Sequence, residues 1–204
     1  MTADPDDLLA RADAWIAPYW NADHLRRTVH WLRVLAPDAS PALLLAALTH
    51  DIERLFPAPD APAFDARLGP ADPDYVRRHS ERSVRIVGDW LREQGADQPL
   101  IANTTALIAV HEDGGWPEAD LLQAADSLSF LETNVDRFIA RIPTRQNGLG
   151  PAEVRAHVRH TLDRIRVPAA RDLARPHYDA AIAKLDAYEA AHPEPAATIT
   201  EERA

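Results

Sequence analysis

The chain has 204 residues, 46% of them hydrophobic and 26% charged, with a formal net charge of −10 at neutral pH. That length accommodates one domain with a sizeable core, and the acidic balance argues against nucleic acid or a membrane surface as partner, because phosphate selects basic surfaces. Cysteine is absent, which excludes disulfides, thiolate zinc sites and cysteine nucleophiles, so a metal here would need histidine and carboxylate ligands.

The start, MTADPDDLLA, is acidic and lacks the basic start and apolar core of a signal peptide. No apolar run approaches membrane-spanning length, and a cytoplasmic location is expected. Apolar residues recur at three- and four-residue spacing without the strict alternation of a strand, so the expectation is an all-α bundle of about seven to eight helices. The first helix is predicted over 5–19 and the second over 22–36, ending at Pro37. A third is predicted over 40–56, with Ser40 as cap, Pro41 at the first helical position and Pro57 beyond the end. The stretch 57–71, PAPDAPAFDARLGPA, holds too much proline for an element and is predicted as a loop. Asp72 and Pro73 open a fourth helix; a fifth runs over 98–112 to the Gly114-Gly115 stop, and a sixth over 117–141. After the TRQNGLG turn, two more helices are expected over 151–166 and 170–191. This gives a single domain over 1–192 and a tail, 193–204, expected to be disordered.

The chemistry is concentrated in polar residues on apolar helices. His50 and Asp51 stand in LTHDIERLF, after the apolar run PALLLAALT. An ionised aspartate buried there costs several kcal/mol unless it is paired or bound to a cation. A divalent metal resolves this, since imidazole and carboxylate are its natural ligands where thiolate is lacking. Further ligand candidates occur in similar settings: His24 in DHLRRTVHWL, His79 at the start of an apolar stripe, His111 at the end of LIANTTALIAV, and Asp126 within LLQAADSLSFL.

The order His, His-Asp, His, His, Asp resembles the HD-domain superfamily, all-helical metal-dependent phosphohydrolases named for their His-Asp doublet. The segments HSERSVRIVGDWL and LLQAADSLSF are similar to those around the family's third histidine and last aspartate, and the likeness covers roughly 20–140. The resemblance implies one metal held by His24, His50, Asp51 and Asp126, and a second drawing on His79 and His111, with Asp51 bridging. The ions would be Mn, Fe, Ni, Co, Zn or Mg, which the sequence does not distinguish. Many dinuclear members read His-Asp-Ile-Gly-Lys, whereas this chain reads His50-Asp51-Ile52-Glu53-Arg54. Arg54 stands in place of the lysine, where a guanidinium can grip phosphate in a forked geometry.

The implied reaction is hydrolysis of a phosphate ester or anhydride, a nucleotide before other small phosphorylated anions, by metal-activated water. Asp51 and Glu53 are the expected catalytic residues, and Arg54, Arg27 and Arg82 the expected substrate contacts. The resemblance leaves two alternatives open, a di-iron oxygenase using O₂ and a ligand-binding module without turnover. His30 is expected on the surface or in the core, His157, His160, His177 and His192 on solvated faces, and Glu112 at a solvated helix end, with a place as outer partner of a metal ligand as its alternative. Trp116, beside Gly115, is a candidate for a pocket mouth. The loop 57–71, lying between the doublet and His79, is a candidate lid.

Overall fold

A computed structural model describes residues 3–193. Those residues form nine α-helices joined by 3-10 turns and loops, with no strand, so the all-α expectation holds and the helix count rises by at least one. The expected tail falls almost wholly outside the described residues, in 194–204. None of the described helices is long and apolar enough to cross a membrane.

The helices are α1 (Pro5–Ile16), α2 (Ala22–Leu35), α3 (Pro41–Thr49), α4 (Pro73–Glu93), α5 (Gln98–Ala109), α6 (Pro117–Thr133), α7 (Val135–Arg141), α8 (Pro151–Asp163) and α9 (Pro168–Ala191). Proline opens most of them, because its fixed φ suits the first turn and its missing N–H is one that no helical carbonyl would have received. Asp4, Ser40, Asp72 and Asp97 complete the starts of α1, α3, α4 and α5 by accepting backbone N–H groups of the first turn.

Two expected helices divide. The third ends at Thr49, and Asp51 adopts φ −101°, ψ 4° before a 3-10 turn over Ile52–Leu55. The sixth breaks at Asn134, which caps the end of α6 and starts α7.

The core consists of two clusters that meet at α6. Leu25, Leu45, Leu91 and Ile108 pack with Leu122 on one side, and Leu128 packs with Val154, Leu162 and Leu185 on the other. α6 is therefore buried on nearly every face from Leu122 to Leu131, yet it contains Gln123, Asp126, Ser127 and Ser129. α2 packs along it, as does α9, while α3 packs against α1 and α5. A buried helix with four polar side chains has to satisfy them internally, and the way it does so defines the site.

Candidate metal centre

The six expected ligands come together. The break after α3 turns the doublet inward: His50 ends the helix and Asp51 occupies the sparsely allowed bridge region where active-site residues are often found. α2 supplies His24, α4 supplies His79, the turn after α5 supplies His111 and α6 supplies Asp126. Asp126 Oδ1 lies 3.0 Å from His24 Nε2 and 3.3 Å from His50 Nε2. Asp51 Oδ1 lies 3.0 Å from His79 Nε2 and 4.0 Å from both His50 Nε2 and His111 Nε2.

Each histidine is held from behind at Nδ1. His50 faces the Ala47 carbonyl at 3.1 Å, His111 the Ile108 carbonyl at 2.7 Å and His79 the Glu53 carboxylate at 3.0 Å. A carbonyl or carboxylate oxygen can only accept, so these Nδ1 atoms each carry a proton, and Nε2 is the atom whose lone pair a proton or a cation would take. His24 Nδ1 is 2.9 Å from Ser129 Oγ, whose own proton goes to the His24 carbonyl, which gives the same tautomer. The Nε2 atoms of His50, His79 and His111 are buried and make no aligned hydrogen bond, despite the carboxylate oxygens nearby. Orphaned buried acceptors converging on carboxylate oxygens, each backed by a second partner, fit a divalent cation.

The carboxylates share one arrangement. Asp51 turns Oδ1 to the histidines while Oδ2 accepts from Arg54 Nη1. Asp126 does likewise, with Oδ2 accepting from Arg164 Nη2 at 2.5 Å. Burial pushes both carboxyls up, but the guanidiniums Arg54 and Arg164, helped by the histidines, hold both well below the usual carboxylate range. Burial works against a charged His50 too, and the two aspartates outweigh it, raising the imidazole to about 9. The cluster draws positive charge inward.

A cavity of about 350 Å³ opens onto this centre. Asp51, Asp126 and His24 line it together with Arg54 and Arg164. Further out it is lined by Phe64 from the 57–71 loop, Phe130 and Phe138, with His157 of α8 stacked on Phe130 at a ring separation of 4.7 Å. Trp20 stands in the lining with Arg137 and Arg141 over its ring.

The remaining expected residues divide between the cavity and the protein around it. Arg27 pairs with Glu132 and lies over Trp31, outside the cavity lining. Arg82 is buried, donating to the Glu53 carboxylate at 2.8 Å and to the carbonyls of Glu53 and Phe56, so its donors are committed to the protein. Glu53 lines the cavity, held by Arg82 and with Oε1 3.0 Å from His79 Nδ1. His157 and His160 line the cavity instead of a solvated face; burial, and then Arg164, lower His157 to about 3. Glu112 is only partly exposed and pairs with Arg164. Trp116 borders a separate surface groove. His30 is exposed, His177 packs edge-on to Trp31 and His192 is exposed against Tyr188.

Arg164 is the chief residue that sequence reasoning missed, since an arginine on a C-terminal helix reads as a solvated face. One signal was present: His157, Thr161 and Arg164 recur at helical spacing beside the buried stripe Val154, Val158 and Leu162. No family model matches the chain, and no curated protein matches it. It resembles the crystal structure of Bacillus subtilis YpgQ at 18% identity, over 94% of this chain and 99% of that one, with a TM-score of 0.64. The likeness concerns the fold and reaches into the C-terminal helices.

Proposed function

We propose that the chain is an HD-type, metal-dependent phosphohydrolase that cleaves a phosphate ester or anhydride, a nucleotide being the best fit. The observation that carries this reading is the shared cavity: it is lined by His24, Asp51 and Asp126 of the donor cluster and by two guanidiniums, Arg54 and Arg164. A divalent ion held by His24, His50, Asp51 and Asp126, and a second near His79 and His111, would supply a water of lowered pKa and a polarised phosphoryl oxygen.

The chain's own part is to bind, orient and shield. Arg54 is steadied by Tyr75, whose hydroxyl accepts from Nη2 at 2.9 Å, and keeps N–H groups beyond those bound to Asp51 and Tyr75. Arg164 is fixed by Ser127, Glu112 and Asp126 and likewise has a second hydrogen on each Nη. Two preset guanidiniums lining one cavity suit the non-bridging oxygens of a phosphoryl group. Asp51, ionised and with Oδ1 toward His79, His50 and His111, would accept a proton from attacking water. The aromatic side of the cavity, Phe64, Phe130, Phe138 and a neutral His157, offers flat faces to a nucleobase and keeps water out.

These fixed cations suit a phosphoryl or phosphonyl substrate, so the release of phosphate without O₂ is what separates hydrolysis from the oxygenase alternative. The test is anaerobic phosphate or pyrophosphate release from a panel of nucleoside mono-, di- and triphosphates by manganese-loaded protein. Release that stops with chelator is the expected result. A metal-loaded protein inert toward the whole panel and toward non-nucleotide phosphates would overturn the reading.

A further inference from the structure

Glu112 has no place in the ligand pattern of the sequence, yet its surroundings match those of the two aspartates. Its Oε1 lies 3.6 Å from His111 Nε2, and its Oε2 accepts from Arg164 Nη1. That is the same division as in Asp51 and Asp126, one oxygen toward the histidines and the other toward a guanidinium. One ligand atom from each of His79, His111 and Glu112 lies within 4.8 Å of the other two. Both histidines are fully buried, with Nε2 lacking an aligned partner. The local backbone explains how two consecutive side chains reach one centre. α5 ends at Ala109, and a turn closed by Gly114 at φ 69° follows, so His111 and Glu112 escape the roughly 100° divergence of neighbours on a helix.

The set His24, His50 and Asp126 also brings one ligand atom from each within 4.8 Å and contains its own carboxylate. The pair His79 and His111 has only the shared Asp51. We propose that Glu112 is a direct ligand to a second divalent cation, completing a set with His79, His111 and the shared Asp51. This rests on the metal-centre reading and adds a residue which that reading does not require. The competing role for Glu112 is to anchor Arg164, which would act through Asp126 and so on the other ion.

Metal content separates the two. Purified variants are stripped with chelator, reloaded with Mn²⁺, passed through a desalting column and counted by elemental analysis. Circular dichroism in chelator confirms that each is folded, and E112A accompanies E112Q. The expected stoichiometry is two ions for the parent chain and one for E112Q. H111Q and the E112Q/H111Q pair should also hold one, and E112Q/H24Q none. Retention of both ions by E112Q and E112A, or loss of a further ion when E112Q is added to H111Q, overturns the assignment. A parent chain that holds one ion overturns it as well. A parent chain that binds none removes the metal centre itself, a distinct outcome.

Discussion

Asp51 divides its oxygens between histidines and the Arg54 guanidinium, so it is both a ligand candidate and the partner of the group proposed to bind phosphate. This placement makes the arginines separable. Arg54 lines the cavity, whereas Arg27 faces Glu132 and Trp31. R54Q is therefore expected to lower kcat/KM for phosphate release by about 10²-fold, the scale of one lost charge-stabilising donor, while R27Q leaves it nearly unchanged; steady-state kinetics on both variants checks this. On the proposed reading Glu53 stands one step back from the ions, behind His79. Replacing it by Gln keeps a hydrogen-bond acceptor for His79 but removes the charge that Arg82 neutralises. Manganese titration should show affinity weakened by about 10–100-fold, the usual effect of an altered outer partner, with metal-saturated turnover largely preserved. Persisting loss of turnover at saturating metal would instead place Glu53 in the chemistry.

At the scale of elements, α6 and the break after α3 do most to build the site. α6 joins the two core clusters and also carries Asp126 and the Ser129 that orients His24. Leu128 is fully buried at that junction, and L128A should cost about 2–5 kcal/mol through the cavity it leaves, read as a lower denaturation midpoint with an unchanged slope. The ligand types on their helices were legible, because a histidine or aspartate set among alanine and leucine is costly to bury unless something binds it. The ends of those helices were not. LTHDIERLF has helical spacing up to Phe56, whereas at the turn Asp51 pairs with Arg54 three residues on and reaches His79 of α4, a contact that local propensity does not carry. Helical spacing likewise put Arg82 beside His79 but could not show that its donors go to Glu53 and Phe56, beneath the cavity. The cavity contributions of α8 and its end lay furthest from sequence reach, because only the helical spacing of Arg164 from His157 and Thr161 sets it apart from the exposed Arg159.

For the whole molecule, the buried titrating groups set the response to acid. His157 is neutral in the folded chain, its pKa lowered to about 3 by burial and by Arg164, with Arg54 and His160 adding to the effect and Glu112 opposing it. In the unfolded chain it returns to about 6.5. As pH falls below that value the unfolded state binds a proton the folded state refuses, so stability present at neutral pH is lost progressively down to about 3. H157F should flatten the fall in thermal midpoint between pH 6 and 4 relative to the parent chain; an unchanged slope would show that His157 charges freely within the fold. The 57–71 loop and α8 enclose the aromatic side, so the cavity depends on segments far apart in the chain.

The most direct measurement is anomalous diffraction at the manganese edge from crystals grown or soaked with Mn²⁺. The expected result is an anomalous peak within coordination distance of Asp51, Asp126, His24 and His50, lost in D51N together with hydrolysis. A centre free of anomalous density at saturating manganese, or an ion bound elsewhere in the chain while phosphate release proceeds, would contradict it.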